Sequence, residues 1–569
     1  EQKGRRVMFD LLIKGATVYD GEGSPGVRCD VAVQAGRIVE VGTIDGAATE
    51  TIDASGLALM PGIVDNHTHY DAQVTWDRAV SPSPRLGVTT AVIGNCGFTI
   101  APCRPDDRDL IMKNLTQVEG MSLDVLRQGI DWQFESIPEY LDYLERSGCL
   151  INLAAFAGHS SIRTYVMGAD AAEREATEAE VAQMHQLVLD AIDAGAIGFA
   201  TSTSPAHNGH GGRPMPSRLA GDDELRKLVG ALGERKRGLF MLTKGGHTSI
   251  EFLESLAHDT GRPVVVAALL HNSTNPTVVF DDLDGIQAAN ERGNQMAGAI
   301  SPCPLTNDFT MHSPYPVEGL RAWKPALALN GDALKAKLAD PQFRQAVRDE
   351  IAAPASVRLF NGEWDKVAVV QVAKPENAPL EQRTIADIAD EAGADPLDVM
   401  LDLALEESLD TVFSAVLLNS DEQAVQRLLE HPASLVSLSD AGAHLTFFND
   451  AGYGLHLLGH WSRDLGVLRL EDAIRRLTSQ PADLFGIIDR GRIAPGQFAD
   501  LMLFDPASVG RSARYRTYDL PGGGSRLNCD PIGLHGVWVN GTRIVNEQGD
   551  VLVKDADVLP GGLLRQFAH

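Results

Sequence analysis

Eight short apolar runs, each followed by a polar or amphipathic stretch, recur through the middle of the chain and constrain its fold more than any other feature. Helical periodicity follows several of them, as at 178–194 and 222–232. Eight β units with helical crossovers predict a (β/α)8 barrel, whose functional side chains gather at the carboxyl ends of the strands. An open doubly wound sheet is the alternative, but no Gly-x-Gly-x-x-Gly sequence follows any run. The predicted strands are 58–65, 88–95, 151–157, 196–202, 238–244, 263–270, 294–301 and 434–440.

Both ends of the chain carry short β-branched runs broken by Gly-rich turns, for example at 30–33 and 499–504. We expect the two ends to pair into one small β-sandwich. The interval of about 302–433 is too long for one βα connection, so it is predicted to hold an inserted subdomain. The predicted domains are therefore 8–60 and 487–569 for the sandwich and 61–486 for the barrel with its insertion.

Composition and charge restrict the partners of this chain. Its 569 residues carry a formal net charge of −28, which disfavours nucleic acids and anionic membranes because both repel an acidic surface. A run of about 18 apolar residues, which a transmembrane helix needs, does not occur in the sequence. The six cysteines are scattered without the spacing of a disulfide framework, which favours a reducing, cytoplasmic setting. We expect a small-molecule substrate, and a homo-oligomer is compatible with these properties.

His67 and His69 end the first predicted barrel strand. Side chains at i and i+2 of a strand project to the same side, so two imidazoles there can hold a divalent metal. Cys96 ends the second predicted strand and Asp440 ends the eighth, which brings all four residues to the functional face. Imidazole, thiolate and carboxylate are all zinc ligands, and a carboxylate beside a zinc-bound water can take its proton. The alternatives are a buried apolar role for Cys96 and a helix N-cap role for Asp440.

Several motifs resemble those of one enzyme family, in the same order along the chain. The sequence Pro-Gly-Ile-Val-Asp-Asn-His-Thr-His at 61–69 resembles the first-strand signature of the amidohydrolase superfamily. Gly-Asn-Cys-Gly at 94–97 resembles the bridging-cysteine motif of the D-aminoacylases, the N-acyl-D-amino-acid deacylases. This resemblance implies a barrel with a terminal β-sandwich, a zinc cofactor of one or two ions, and amide hydrolysis. It also implies that His67, His69 and Cys96 bind metal and that Asp440 contacts both metal and catalytic water. Further similar stretches are 157–159, 194–198, 439–440, 478–482 and 491–500.

The chain departs from this family at the fifth and sixth strands. The family has a metal-binding histidine at the end of each, where this chain aligns with Lys244 and Ala268. Lys244 is open to three interpretations: a carboxylated lysine that binds metal, an ammonium that binds a substrate carboxylate, or a strand-end lysine that reaches solvent. His247 and His271 are candidate substitute ligands. His271 reaches the strand position only after a three-residue shift, which would turn it to the other face.

Other polar residues on the predicted functional face are candidates for substrate binding. His159 follows the third strand and either lines the pocket or bonds a backbone group. The Gly-rich loop after the fourth strand either touches substrate or forms an exposed lid. Arginines can clamp a substrate carboxylate through two parallel hydrogen bonds. Phe447 and Phe448 are expected in the core or the pocket wall. The candidates are Lys244, His159, His207, His210 and Arg213, with Arg218 and Arg463 as further possible clamps.

The predicted function is hydrolysis of the amide bond of an N-acyl-amino acid or a similar N-acyl compound, with Asp440 as the general base toward a metal-activated water. The resemblance implies the D configuration. Two alternatives stay open at this point. One is a hydrolase of a cyclic amide, an imide or a lactone. The other is a catalytically silent binding protein on the same fold, to which the substitutions at Lys244 and Ala268 point.

Overall fold

A computed structural model describes residues 8–118, 120–354, 358–444 and 450–568. The strands, in chain order, are β1 (Met8–Val18), β2 (Val27–Gln34), β3 (Arg37–Gly42), β4 (Ala47–Asp53), β5 (Ala58–Pro61), β6 (Ile63–Asp65), β7 (Val88–Ile93), β8 (Asn152–Gly158), β9 (Gly198–Ser202), β10 (Leu239–Thr243), β11 (Val264–Ala267), β12 (Met296–Ile300), β13 (Leu305–Phe309), β14 (Val367–Gln371), β15 (Val412–Leu418), β16 (Ser434–Val436), β17 (Leu501–Phe504), β18 (Gly510–Arg511), β19 (Tyr515–Leu520), β20 (Gly524–Asn528), β21 (Pro531–Ile532), β22 (Leu534–Val539) and β23 (Thr542–Val545).

The α-helices cover the barrel and build the insertion. In chain order they are α1 (Arg108–Val118), α2 (Leu123–Gly129), α3 (Ile137–Ser147), α4 (His159–Met167), α5 (Glu178–Asp193), α6 (Asp222–Arg235), α7 (Ile250–Thr260), α8 (Val278–Glu291), α9 (Tyr315–Glu318), α10 (Lys324–Leu327), α11 (Gly331–Ala339), α12 (Pro341–Ala352), α13 (Ile385–Ala392), α14 (Pro396–Glu406), α15 (Glu422–Glu430), α16 (Tyr453–His456), α17 (Leu470–Leu477) and α18 (Ser479–Leu484).

Eight parallel strands form the barrel sheet, in the order β6-β7-β8-β9-β10-β11-β12-β16. Thr68 and Ala441, just beyond the first and last of these strands, form a parallel bridge that joins the two ends of the sheet. Every residue of β7 to β11 is buried, as is typical of parallel strands covered by helices on one face and packed inside the barrel on the other. The predicted (β/α)8 barrel is confirmed, and the carboxyl ends of its strands share one face.

Helix α5 shows how the local sequence determines where a barrel helix begins. The side chain of Thr177 accepts a hydrogen bond from the backbone of Glu180, and the Glu180 carboxylate accepts one from the backbone of Thr177. This reciprocal capping box satisfies backbone donors that a helix would otherwise leave without partners.

Strands from both ends of the chain share a second eight-stranded sheet, as expected for a β domain built from the two termini. Its order is β23-β22-β17-β5-β1-β2-β3, with β4 also paired to β1. Strand β17 runs antiparallel to β5, so Leu501 pairs with Pro61 and ties the C-terminal segment to the start of the barrel. Two separate two-stranded sheets, β18-β21 and β19-β20, lie in the C-terminal segment.

The predicted strand 58–65 is divided between the two large sheets. Strand β5 belongs to the terminal sheet, β6 begins the barrel, and Gly62 separates them. A Cβ atom at Gly62 would lie 2.1 Å from Cγ2 of Thr89, so only glycine lets the chain pass so close to β7.

A three-stranded antiparallel sheet interrupts the barrel between β12 and β16. Its order is β13-β15-β14, and helices α9 to α14 pack with it around a separate core that includes Trp323, Phe343, Leu401 and Phe413. This unit lies within the interval expected to hold the insertion, while the domain limits stay predictions. Across the described ranges, no helix is long and apolar enough to cross a membrane.

Candidate metal centre and active site

A small cavity of about 50 Å³ lies where the carboxyl ends of the barrel strands meet, and nitrogen, sulfur and oxygen donors converge on it. The ends of the first, second, fourth, fifth, sixth and eighth strands, or the loops just after them, contribute to its wall. The lining residues are His67, His69, Cys96, Phe98, His207, Thr243, Ala268, Leu438, Asp440 and His444.

His67, His69 and Cys96 have the geometry of a metal site. One ligand atom from each lies within 4.8 Å of the other two, and Cys96 Sγ is 3.6 Å from His67 Nε2. Asp440 Oδ1 is 3.2 Å from His67 Nε2 and 3.7 Å from His69 Nε2. Two ligands of one tetrahedral zinc ion stand about 3.3–3.7 Å apart, because each bond is about 2.0–2.3 Å long. The four side chains therefore fit a single zinc-type cation.

A tight turn presents Cys96 to this site. The turn is the 3-10 segment Asn95–Gly97, and Cys96 itself has a positive φ of 58°. A Cβ atom at Gly97 would lie 2.6 Å from the carbonyl oxygen of Ala200, so glycine is required there. The Asn95 side chain donates to the carbonyl oxygen of Thr68 at 3.3 Å, which ties this turn to the His67–His69 segment.

The loop after the last barrel strand presents Asp440 in a similar way. Asp440 has a φ of 48°, in the left-handed region that non-glycine residues seldom adopt. The Ser439 hydroxyl donates to the carbonyl oxygen of His67 at 3.1 Å, and His69 N donates to the carbonyl oxygen of Ala441 at 2.7 Å. Residues held in such conformations by their surroundings cluster at functional sites.

Burial keeps three of the imidazoles around the cavity neutral near pH 7. Burial lowers the pKa of His67 to about 4, that of His444 to about 4 and that of His207 to about 3. A neutral imidazole keeps the lone pair that metal binding requires.

The carboxylate and the thiol respond differently to the same surroundings. Burial alone would raise the pKa of Asp440, but attraction to His67 and a hydrogen bond from His69 outweigh it and hold that pKa below its usual range. Burial raises the pKa of the Cys96 thiol. Asp440 therefore carries a negative charge at neutral pH, whereas Cys96 would lose its proton on binding a cation.

The structure does not bring Lys244 to the cavity, in contrast to two of the three interpretations of this residue. Successive residues of a strand point to opposite sides, and it is Thr243 that faces the site. Lys244 Nζ lies 3.1 Å from Asp282 Oδ2 on α8, and their side chains are only 12% and 16% exposed. The solvent-reaching interpretation is also wrong, because the ammonium is held in a largely buried ion pair.

Neither candidate substitute ligand lines the cavity. At the end of the sixth strand Ala268 faces the site, while His271 is buried outside it and its backbone N–H donates to Asn419 Oδ1 at 2.8 Å. The odd three-residue offset from Ala268 explains this placement. His247 is exposed. Within the described ranges, the fifth and sixth strands thus supply a hydroxyl and a methyl group in place of two imidazoles.

Of the substrate-binding candidates, only His207 lines the cavity. His210 is exposed, and Arg213 is 59% exposed and paired with Glu173 at 2.9 Å. His159 does not line the cavity, because both its ring nitrogens are used in a buried network: Nδ1 with Thr201 Oγ1 at 2.7 Å, and Nε2 with Glu224 Oε1 at 2.8 Å.

Sequence reasoning missed four residues of the cavity wall, which are Phe98, Thr243, Leu438 and His444. His444 lies four residues after Asp440 in the same loop, and this short spacing was the available signal for it. Phe98 follows the Cys96 turn, and its ring meets that of His207 edge-on at 4.9 Å between centroids. Thr243 was missed because the family alignment placed Lys244 at the functional position of the fifth strand. Phe447 and Phe448 lie outside the described residues.

Comparison with known proteins agrees with this site. A family model described as "Amidohydrolase family" matches residues 50–545. D-aminoacylase from Alcaligenes xylosoxydans xylosoxydans is 29% identical over 549 residues, which cover 95% of each chain. A crystal structure of D-aminoacylase, said to define a novel subset of amidohydrolases, is 26% identical with a TM-score of 0.66 over 98% of this chain and 100% of the other.

A third relative carries a metal and an inhibitor. N-acyl-D-glutamate deacylase from Bordetella bronchiseptica, complexed with zinc and a phosphonate mimic of the tetrahedral intermediate, is 25% identical. Its TM-score is 0.66 over 98% of this chain and 100% of that one. These matches span nearly the whole chain and confirm the resemblance that the sequence motifs carried. The chain therefore belongs to the amidohydrolase family.

Proposed function

We propose that this protein is a metal-dependent deacylase that hydrolyses the amide bond of N-acyl-amino acids, with the D configuration that its relatives' names specify. The observation that carries the proposal is the convergence of His67, His69 and Cys96 on Asp440 in one cavity. Convergence of four residues from three distant segments of the sequence supports a metal centre over a silent binding site.

In this proposal His67, His69 and Cys96 hold one zinc-type cation, with Asp440 beside it. A cation bound there would polarise a substrate carbonyl and lower the pKa of a water molecule. The neutral imidazoles and the ionisable thiol suit such an ion, and a carboxylate 3.2 Å from His67 completes the donor set.

Asp440 acts as the proton carrier. Its lowered pKa keeps the carboxylate ionised at neutral pH, so it can accept a proton from the water whose oxygen attacks the carbonyl carbon. The same carboxyl group then gives this proton to the leaving nitrogen as the carbon–nitrogen bond breaks. The products are the free amino group and a carboxylic acid.

His207 is suited to orienting the substrate. Its Nδ1 is hydrogen-bonded with Ser202 Oγ at 2.6 Å, which fixes the ring, while no hydrogen bond of its Nε2 is found within the described parts of the chain. The second ring nitrogen of a cavity-lining histidine is then available to the substrate amide.

The test is an assay of zinc-loaded protein against N-acetyl-D-amino acids, N-acetyl-L-amino acids, hydantoins and dihydropyrimidines. We expect hydrolysis of the D series and none by the Cys96→Ala variant, which should also lose zinc. Turnover of the cyclic compounds alone would contradict the proposal, as would less than about half an equivalent of tightly held metal in active protein.

We further propose a cytoplasmic location and a small-molecule N-acyl substrate as the partner. All six cysteines are unpaired, which suits a reducing compartment. The oligomeric state stays a prediction.

A further inference from the structure

A buried network of charged side chains joins two barrel helices to a strand that helps to build the cavity. The Glu224 carboxylate, in the first turn of α6, accepts hydrogen bonds from Nη1 of Arg163 at 2.5 and 2.6 Å and is hydrogen-bonded with Nε2 of His159 at 2.8 Å. His159 begins α4, and its Nδ1 lies 2.7 Å from the Thr201 hydroxyl on β9. His159, Arg163 and Thr201 are fully buried, and Glu224 is 5% exposed.

The His159 ring is neutral and the Glu224 carboxylate is ionised near pH 7. Burial lowers the pKa of His159, although the hydrogen bond and the attraction to Glu224 oppose this effect. Burial alone would raise the pKa of Glu224, but its interactions with His159 and Arg163 outweigh burial and lower that pKa. In the neutral ring the nitrogen that faces the carboxylate carries the hydrogen, so Nε2 donates to Glu224 and Nδ1 accepts from the Thr201 hydroxyl. The ring is thus held in one tautomer and one orientation.

Strand β9 connects this network to the cavity. Successive residues of a strand point to opposite sides, so Thr201 faces the network while Ser202 faces the other side. The Ser202 hydroxyl is hydrogen-bonded with Nδ1 of His207 at 2.6 Å, and His207 lines the cavity. The network therefore holds one side of a strand end whose other side holds a cavity imidazole.

The same strand end and the start of α4 also pack against the turn that presents Cys96. A Cβ atom at Gly97 would lie 2.9 Å from the backbone N of His159 and 3.1 Å from Cα of Thr201. Segments in such close contact do not move independently, because a packed interior transmits displacement. A shift of His159 or Thr201 would therefore reach Cys96 through its neighbour Gly97.

The three ionisable groups of the network are a poor source of stability. Charges removed from water lose solvation that their mutual attraction only partly restores, and apolar side chains of similar volume often stabilise a core at least as well. A fully hydrogen-bonded network instead fixes distances and angles, because each partner has to stay within bonding range. The network of His159, Arg163 and Glu224 therefore suits a role in geometry.

We infer that His159 and Thr201 are positioning residues for the Cys96 turn. Through the opposite side of β9 they also fix the ring of His207. Neither residue lines the cavity, so both act through the segments that they contact. In other proteins, loss of a group that orients a metal ligand from behind lowers metal affinity about 10- to 100-fold. The inference rests on the metal site of the proposed function.

Two substitutions of Thr201 separate the hydrogen bond from packing. Thr201→Val keeps the shape of the side chain and removes the hydroxyl, whereas Thr201→Ser keeps the hydroxyl and removes a methyl group. A role in packing alone predicts that the serine variant is the more perturbed, and the positioning role predicts that the valine variant is. His159→Phe removes both bonds of the ring. The matched control is His185→Phe, which removes the 3.0 Å hydrogen bond between a buried histidine of α5 and Glu234 of α6.

We would measure zinc affinity by competition with a chelator and record the visible spectrum of the cobalt(II)-substituted protein, in which a thiolate–metal charge-transfer band reports the bond to Cys96. Thr201→Val should lower zinc affinity about 10- to 100-fold and weaken that band, and His159→Phe should lose at least as much. Thr201→Ser and His185→Phe should stay within about twofold of wild type. Unchanged zinc affinity in Thr201→Val, or a larger loss in Thr201→Ser, would overturn the inference. The Thr201 pair gives the answer even if His159→Phe does not fold.

Hydrogen exchange of the metal-free protein keeps this test separate from the proposed function. The amides of Gly97 and Phe98, which donate to carbonyl oxygens within the Cys96 turn, should exchange at least about tenfold faster in Thr201→Val than in wild type or Thr201→Ser. Absence of zinc binding or of N-acyl hydrolysis in wild type would refute the proposed function. Equal exchange in the three proteins would refute the positioning role, whether or not the enzyme is active.

Discussion

The Thr243 hydroxyl lies 3.1 Å from Cys96 Sγ, so a neutral hydrogen-bonding group stands beside the thiol at the end of the fifth barrel strand. A hydroxyl at this distance can donate to a cysteine thiolate and stabilise its charge when a cation is bound. The neighbouring Lys244 points away, toward Asp282 on α8. The fifth strand therefore offers the Cys96 thiol a hydrogen-bonding hydroxyl and brings no metal-ligating side chain of its own to the cavity.

Lys244→Met should destabilise the fold without changing the metal content. The substitution leaves Asp282 largely buried without its partner, which costs about 3–5 kcal/mol when a buried pair is broken. We expect a lower urea midpoint, unchanged zinc stoichiometry and no carbon dioxide adduct in the native mass of wild type. The double variant Lys244→Met, Asp282→Leu should regain most of the stability, and loss of zinc in the single variant would refute this assignment.

Asp440→Asn should fold and keep zinc yet lose about 10²- to 10⁴-fold in kcat, because the amide cannot take up the proton of the attacking water. Steady-state kinetics and zinc analysis check this together. The same change at the exposed Asp332 of the inserted subdomain is the control and should leave both quantities unchanged. Wild-type turnover by Asp440→Asn would remove Asp440 from the mechanism.

Gly97→Ala should weaken both the fold and the metal site. At a φ of 76° a side chain is strained, and the new Cβ atom would meet the carbonyl oxygen of Ala200 at 2.6 Å. We expect a loss of about 1–3 kcal/mol in unfolding free energy together with reduced zinc affinity, since the Cys96 turn must shift. Gly230→Ala, inside helix α6 with open space around it, is the matched control. It should stabilise the protein by about 0.5–1 kcal/mol.

Stability should fall as the pH drops below about 6.5, the ordinary pKa of histidine. Burial lowers the pKa of His456 to about 3 in the folded protein, so between these two values the unfolded chain binds a proton that the folded chain does not. Each such proton gives a slope of up to about 1.4 kcal/mol per pH unit, with stability lost toward acid. Urea midpoints at several pH values should show a slope smaller by about one proton in His456→Gln. Equal slopes would contradict the low pKa of this group.

The barrel followed from the sequence because buried parallel strands appear as short apolar runs with helical stretches between them. Periodicity does not say which sheet a run joins, however. The predicted strand 58–65 belongs to two sheets, and only the approach of Gly62 to Thr89 determines where they part.

The residues of the site could be predicted where family motifs marked them. The prediction failed at the fifth strand, where a shift of one residue decides which side chain faces the cavity. A shift of the strand register by one residue would exchange the faces to which Lys244 and Thr243 point. Nothing in the local sequence fixes this register. The four-residue spacing from Asp440 could make His444 a candidate, but placing its side chain at the cavity required the fold, since a loop after a strand has no periodicity that aims a side chain at a cavity.

The most direct test of the account is a crystal structure of the zinc-loaded protein with anomalous data collected at the zinc edge. We expect one strong peak in the cavity, about 2.0–2.1 Å from the ring nitrogens of His67 and His69 and about 2.3 Å from Cys96 Sγ, with Asp440 in contact. A zinc peak at another place, or a full-occupancy peak that Cys96 does not contact, would contradict the assignment on which the proposed chemistry depends.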